Sequence, residues 1–290
     1  MSFRIILLAK QVPDTRNVGK DAMKADGTVN RGALPAVFNP EDLNALELAL
    51  RVKDRMGDAE VIVLTMGPSR AAEIIREAIY RGADKGYLIT DRKFAGSDTL
   101  ATSYVLSQAI RQLEPYHLLI AGRQAIDGDT AQVGPQTAEK LNLPQITYAE
   151  EIIDVDQQSV TIKRRLENGV ETVKGNLPLA VTVHSSAPRC RARIARQVMI
   201  YKHARTLTEL QEETKDYTEL YNSRPYLLID EWGAMEIKAE EDKVGLGGSP
   251  TKVKKIENVV FQQKESRVIT ASDEDIEELM QHLLSSHIIG

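Results

Sequence analysis

The segment Gly122-Arg-Gln-Ala-Ile-Asp-Gly-Asp-Thr-Ala-Gln-Val-Gly-Pro135 carries the densest chemistry-bearing pattern in the chain. Gly122 and Gly128 allow a backbone to come close to a ligand. Thr130, Ala131 and Gln132 stand where a helix would open. Their free N–H groups and the positive dipole end would face outward, with the Thr130 and Gln132 side chains as further donors. That is phosphate-binding chemistry. Ordinary capping is the competing reading, because Asp127 and Asp129 are good cap residues, but the loop is longer and richer in glycine than a cap requires. The two carboxylates would repel a bare phosphate. They point instead to ribose hydroxyls or an adenine edge, and so to a nucleotide.

Three further turns have the same strand-to-helix character. Asn39-Pro40-Glu41-Asp42 offers Asn39 as a cap, proline at the first helical position and acids in the first turn. Thr65-Met66-Gly67-Pro68-Ser69 leaves a strand tightly, with Ser69 as the expected cap. Ala95-Gly96-Ser97-Asp98-Thr99 does the same for a third helix. Covalent and metal chemistry find little support. The five histidines are scattered without metal-ligand spacing, and His117, at the start of a strand, is read as structural. Cys190 lies among arginines that would lower its pKa, but no second cysteine or base accompanies it. Neither a Walker A loop nor Gly-x-Gly-x-x-Gly follows the first strand, so redox work would require a bound cofactor.

These turns need elements to hold them. Arg4–Ala9, Val61–Thr65, Gly86–Thr90, His117–Ala121 and Leu179–His184 are short, dense apolar runs of the kind buried in parallel sheets. Helical periodicity lies between them. It is marked by Leu43, Leu46, Leu50 and Val52 from about Pro40 to Met56, then by Ala71, Ile74, Ile75 and Ala78. Leu100, Tyr104, Leu106, Ile110 and Leu113 mark the third helix, and Thr130 to Leu141 the fourth. This alternation predicts an α/β fold, a doubly wound parallel sheet of Rossmann-like, adenine-nucleotide-binding type. Alternating residues on either side of Asn168-Gly169 predict an antiparallel hairpin at its edge. Residues 1–205 would form this domain, and 206–290, ending in an amphipathic helix from Asp273 to Leu284, a C-terminal arm lying on another chain.

The chain has 290 residues, 42% hydrophobic and 27% charged, enough to bury a core. A single cysteine excludes an internal disulfide framework. No apolar run is long enough for membrane insertion, so the reading is a cytoplasmic protein, or one in a matrix-like compartment after processing. The net charge of −5 argues against a general nucleic-acid binder. It hides a contrast: ten basic against two acidic residues from Lys163 to Arg205, then eleven acidic against three basic from Thr206 to Asp242. The two stretches are either surfaces that neutralise each other or a basic docking face for an acidic protein. RNA binding is the weaker option, since the run from Arg189 to Arg205 has one aromatic, Tyr201.

Ala9-Lys-Gln-Val-Pro-Asp14, Asn39-Pro-Glu-Asp-Leu-Asn-Ala-Leu-Glu47, Thr65-Met-Gly-Pro68, Asp98-Thr-Leu-Ala-Thr102, the segment from Gly122 to Pro135, and Gly248-Ser-Pro-Thr251 together resemble electron transfer flavoprotein beta subunits. The likeness runs from the first strand to about Val183 and resumes at Gly245. It implies a heterodimer whose alpha subunit carries an FAD, while the beta subunit holds a second adenine nucleotide. In one branch this is a structural AMP. In the flavin-bifurcating branch, which the form of the long loop and the Asp98-Thr99 turn resemble more, it is FAD taking hydride from NADH. One electron then goes to the alpha-subunit FAD and an acyl-CoA-dehydrogenase-like partner, the other to ferredoxin or flavodoxin. A stand-alone nucleotide-binding regulatory protein is the reading from another class.

By position the resemblance implies nucleotide contacts at Leu8, Ala9, Asn39, Pro40, Glu41, Asp42 and Met66. It also implies contacts at Gly122, Arg123, Gln124, Ala125, Ile126, Asp127, Gly128 and Asp129. Thr130, Ala131, Gln132 and Val133 would hold phosphate, and Asp98 and Thr99 would lie near the pyrophosphate or ribityl chain of an FAD. It implies no catalytic acid or base on this chain. The stretch Ala187 to Ala204 departs from the family's hydrophobic docking loop: it is rich in arginine, with Ile194 as its nearest apolar candidate.

Overall fold

A computed structural model describes residues 2–14, 35–213, 217–251, 268–286 and 288–289. Two compact units divide the chain, Met1–Lys254 and Lys255–Gly290. In the first, the apolar runs form parallel strands β1 (Phe3–Leu8), β4 (Ala59–Met66), β5 (Lys85–Ile89), β6 (Leu118–Gly122) and β10 (Leu179–Val183). A small antiparallel pair, β2 (Gln11–Pro13) and β3 (Ala36–Phe38), follows β1. Three further strands, β7 (Gln145–Val155), β8 (Ser159–Leu166) and β9 (Gly169–Asn176), extend one side of the sheet, with β8 antiparallel to both neighbours. Two more, β11 (Arg205–Thr206) and β12 (Leu228–Trp232), extend the other. Among the described residues the large sheet has ten strands in the order β11-β12-β5-β4-β1-β6-β10-β7-β8-β9.

Both faces of this sheet are covered, and β1 shows why its sequence is apolar throughout. Phe3, Ile5 and Leu7 enter one core cluster, while Ile6 and Leu8 enter the other. Successive residues of a strand point to opposite faces, so a strand buried on both faces has no polar side. Helix α1 (Pro40–Met56) covers the first face with Leu46, Leu50 and Val52. Helix α3 (Thr99–Arg111) covers the second, packed beside α4 (Val133–Lys140). A third cluster forms where α2 (Ala72–Arg81) meets β5 and the chain around Leu227 and Ile229. Shorter helices α5 (Ala195–Tyr201), α6 (Leu207–Glu212) and α7 (Thr218–Ser223) lie in the stretch after β10. The second unit contains α8 (Asp273–Ser285), capped by the Ser272 hydroxyl.

The doubly wound parallel sheet with an edge hairpin is therefore present. Five details differ from the sequence expectation. The hairpin turn is Glu167-Asn168, with Gly169 already paired to Leu166 in β9. β7 escapes the apolar pattern because Glu150, Glu151 and Asp154 interrupt it. On α3 the expected Leu106, Ile110 and Leu113 are buried, but Leu100 is exposed and Ala101, Val105 and Ala109 fill out the buried face in its place. Ser69 opens a short 3-10 turn after Pro68 instead of capping α2. Finally, residues 205–206 and 228–232, most of them assigned to an arm, add β11 and β12 to the sheet. Trp232 lies against Tyr87 of β5, with ring centroids 4.1 Å apart.

Gly86 in β5 marks the tightest approach of α2: a Cβ there would overlap the Ile75 side chain, whose own Cβ lies 3.3 Å away. Gly86→Ala should cost about 1–3 kcal/mol by overpacking. Urea denaturation checks this, and Ile75→Val in the same chain should recover part of the loss.

Candidate functional site

The order of the sheet reverses beside β1. The chain runs outward through β4 and β5, then returns across β1 to continue with β6. Adjacent crossovers on opposite faces leave a crevice at the carboxyl ends of these strands, the usual ligand position in open α/β sheets. A cavity of about 1130 Å³ lies there. Leu8, Leu64, Ile89, Phe94 and Leu106 give it an apolar floor. Lys10, Asp42, Asp91, Arg92, Asp98 and Arg123 bring charge to it, and the loops after β4, β5 and β6 complete it.

The first turn of α1 holds one side of this cavity together. Asp42 is buried, and its two oxygens accept from different strand ends. Lys10 N–H, just after β1, donates to Oδ2 at 2.8 Å, and Gly122 N–H, at the end of β6, donates to Oδ1 at 3.1 Å. Glu41 accepts from the Arg123 guanidinium at 3.0 Å and from Gln124 N–H at 3.0 Å. Asn39 is the N-cap of α1, yet its side chain does not cap. It donates to the Gln124 carbonyl at 2.8 Å and accepts from Ile126 N–H at 3.2 Å. Gly122 is required at this junction: a Cβ would lie 2.8 Å from Asp42 N and would overlap the carboxylate. Burial pushes the Asp42 carboxyl up to about 7, against the pull of the Lys10 and Gly122 N–H groups.

The loop that these residues hold differs from its expected form. Helix α4 begins at Val133, three residues later than the pattern indicated, with Gln132 as an N-cap that makes no side-chain cap. Asp129 and Ala131 have φ of +48° and +51°, so the backbone reverses twice before the helix. Gly128 and Asp129 donate their N–H groups to the Ala125 carbonyl. Among the described residues, the N–H groups of Thr130, Ala131 and Gln132 meet no acceptor. A left-handed residue followed by a right-handed one turns successive N–H groups to one side and makes an anion-binding concavity. The amides expected to bind phosphate are thus available, but from a loop rather than from a first helical turn. Asp127 faces elsewhere: Lys10 Nζ takes its carboxylate at 2.7 Å. Asp129 accepts from the Gln124 side chain at 2.9 Å.

On the neighbouring helix the situation is opposite. Asp98 Oδ1 accepts the N–H groups of Leu100 and Ala101, each at 3.0 Å, and so caps α3. Burial pushes Asp98 up, but hydrogen bonds from Thr251, Ala101 and Leu100 outweigh it and hold the carboxyl below the ordinary range. Thr99 Oγ1 donates to Gln132 Oε1 at 2.8 Å, joining the two helix starts.

Of the residues singled out from the sequence, Leu8, Ala9, Asp42, Met66, Asp98, Thr99, Gly122, Arg123, Gln124, Ala125 and Gly128 to Val133 line the cavity. Asn39, Pro40, Glu41, Ile126 and Asp127 are not among the lining residues; their neighbours carry the wall. Lys10, Asp91, Arg92 and Thr251 are lining residues that the sequence reading did not select, although Lys10 and Thr251 stand in motifs it quoted. Cys190 also differs: burial pushes its thiol up to about 11, above the effect of the nearby arginines. His117 is structural, stacked on Phe3 and accepting Arg4 N–H. Among the described residues, which exclude His287, no cluster of three or more acidic, histidine or cysteine side chains could hold a metal ion. No described helix is long and apolar enough to cross a membrane. Much of the basic stretch pairs within the chain: Arg191 with Glu47 and Asp54, Arg193 with Glu77, Arg205 with Glu213.

Asp42 makes stability depend on pH in a defined direction. Its folded carboxyl, at about 7, lies above the ordinary 3.8, so the folded chain keeps a proton that the unfolded chain releases. The contribution is complete below about pH 4 and is lost as pH rises through about 7. Asp42→Asn sets an amide donor against one backbone N–H, at a cost of about 1–3 kcal/mol. The gap between wild type and D42N in urea midpoint should therefore be wide at pH 5 and narrower at pH 8.

Residues 26–207 match the model of the electron transfer flavoprotein domain. The electron transfer flavoprotein subunit beta of Megasphaera elsdenii is 37% identical over 98% of this chain and 99% of that protein. The acryloyl-CoA reductase electron transfer subunit gamma of Anaerotignum propionicum is 40% identical over 99% of this chain and 100% of that protein. CarD, a subunit of the caffeyl-CoA reductase-Etf complex of Acetobacterium woodii, is 48% identical over 62% of this chain and 67% of that protein. With the domain matched over more than half its length and full-length relatives well above 30% identity, the chain belongs to the electron transfer flavoprotein beta-subunit family.

Proposed function

We propose that this beta subunit pairs with an alpha subunit and binds FAD in the cavity at the carboxyl edge of its sheet, in a cytoplasmic, flavin-bifurcating electron carrier. The observation that carries the reading is the open amide concavity at Thr130 to Gln132 within a cavity that continues across to β5. From β6 to β5 is three strand spacings, about 14 Å. A volume of about 1130 Å³ exceeds the ~300–1,000 Å³ of ordinary small-molecule pockets. This length and volume favour a dinucleotide over AMP. The amides of Thr130, Ala131 and Gln132, with the positive end of α4 behind them, would take phosphate oxygens. The apolar floor would exclude water beneath the ligand, and Asp129 would accept ribose hydroxyls. Bound FAD would supply acceptance of hydride from NADH and onward transfer of single electrons. The names of the acryloyl-CoA and caffeyl-CoA reductase relatives support an acyl-CoA-dehydrogenase-like partner reached through the alpha-subunit FAD. Ferredoxin or flavodoxin would take the second electron.

Counting nucleotides in the purified alpha–beta complex decides between the readings. Two flavins per heterodimer are expected. One flavin and one AMP would select the AMP-holding carrier, and failure to form a stable alpha–beta pair would select a stand-alone nucleotide-binding protein. Thr130→Ala combined with Gln132→Ala removes two side-chain donors beside the amides. The beta-site nucleotide should dissociate about tenfold faster, the loss of one ordinary hydrogen bond, while the alpha-subunit flavin stays bound through dialysis.

A further inference from the structure

The motif Gly248-Ser-Pro-Thr251 lies more than a hundred residues beyond the loops of the cavity, yet the fold brings it to the rim. Gly245 has φ of +58°, and its Cα packs so close to the Lys93 carbonyl that no side chain fits. Its N–H donates to Ser97 Oγ at 3.2 Å. Ser249 is buried; its Oγ accepts Asp98 N–H at 2.9 Å and donates to the Gly245 carbonyl at 2.6 Å. Thr251 then gives both its donors to Asp98 Oδ2, the N–H at 3.0 Å and the hydroxyl at 2.7 Å. Thr251, Asp98, Ser97 and Thr102 all line the cavity.

The donor count decides what this corner can recognise. A carboxylate offers about four lone-pair sites. Asp98 already accepts from Leu100, Ala101 and twice from Thr251. With its proton committed to Asp98, the Thr251 hydroxyl has only lone pairs left to offer. An acceptor beside a carboxylate repels phosphate oxygens, which have no proton to share, and suits a hydroxyl group. The Thr99–Gln132 hydrogen bond sets this corner next to the open amides before α4.

We propose that the Gly248–Thr251 turn presents Thr251 to the cavity, that Asp98 is the positioning residue holding Thr251 there, and that Thr251 accepts from the hydroxyl-bearing chain of an FAD beyond its phosphates. The proposal rests on the reading that the cavity holds FAD. It makes Thr251 a residue that discriminates FAD from AMP, whose single phosphate ends at the amides.

The test uses the alpha–beta complex freed of its beta-site nucleotide, titrated with FAD and with AMP as probes. Thr251→Val keeps the shape and removes the hydroxyl. Asp98→Ser keeps a capping side chain on α3 but cannot take both Thr251 donors. Each should weaken FAD binding about tenfold and leave AMP binding within about twofold, while Thr251→Ser binds FAD as the wild type does. Equal loss of both probes, or no loss of FAD in either variant, overturns the assignment. Wild-type complex that takes AMP but no FAD fails earlier and brings down the FAD reading itself, which separates the two failures.

Discussion

One buried carboxylate joins the parts on which the cavity depends. Asp42 is fixed by helix α1, and its two oxygens hold the main chain just beyond two adjacent parallel strands. The main chain past β1 and β6 keeps a few backbone hydrogen bonds, from Ala9 to Leu64 and from Arg123 to Val183, and the Asp42 carboxyl ties the two strand ends to each other and to α1. Removing the carboxylate from water is costly, as its raised pKa records, and two N–H donors offset that cost. Asn39 and Glu41 extend the same logic one layer outward, to Arg123, Gln124 and Ile126. The resemblance marks all of the first turn of α1 as ligand-contacting. The geometry divides that work: Asp42 lines the cavity, whereas Asn39 and Glu41 shape the loop that lines it.

The contrast between the starts of α3 and α4 follows from which donors are already taken. Both helices direct N-terminal amides toward the cavity, and isolated helix ends of this kind attract anions. At α3 the Asp98 carboxylate has taken the Leu100 and Ala101 amides and brings its own negative charge. Before α4 the cap residue is a glutamine whose side chain is engaged with Thr99, and the amides stay open. In the proposed reading an anionic ligand would be directed to α4 without any cation having to select the site. Lys10 and Arg123, the basic side chains close to that loop, are held by Asp127 and Glu41.

The elements were legible where a single period governed the chain. The two-sided apolar runs of β1 and β6 and the 3.6-residue repeat of α1 required no tertiary information. The boundary of α4 did, because left-handed backbone at Asp129 and Ala131 is imposed by the fold and neither residue announces it as glycine would. Asn39 reads as a cap by its chemistry. The same amide serves a chain 85 residues away, a choice that only packing reveals. Cys190 shows the limit of reading charge from neighbours in sequence. Arg191 turns to Glu47 and Asp54, and burial then controls the thiol.

The contrast of charge from Lys163 onward has the same lesson for surfaces. A run of ten basic residues reads as a field when taken along the chain, but much of it is paired with carboxylates on α1 and α2 and beyond β11. Arg191 N–H and guanidinium both bind Glu47, and Asn44 donates to the Ala187 carbonyl at 2.6 Å, so the segment leaving β10 is fastened to the outer face of α1. That fastening joins the surface to the site, because the same helix carries Asp42 in its first turn. A force on the segment from 187 to 191 would be borne by α1, whose N-terminal turn holds the loop where an anion is expected. Helix α1 is thus the rigid part through which the loop after β6 and the arginine-rich surface share one frame.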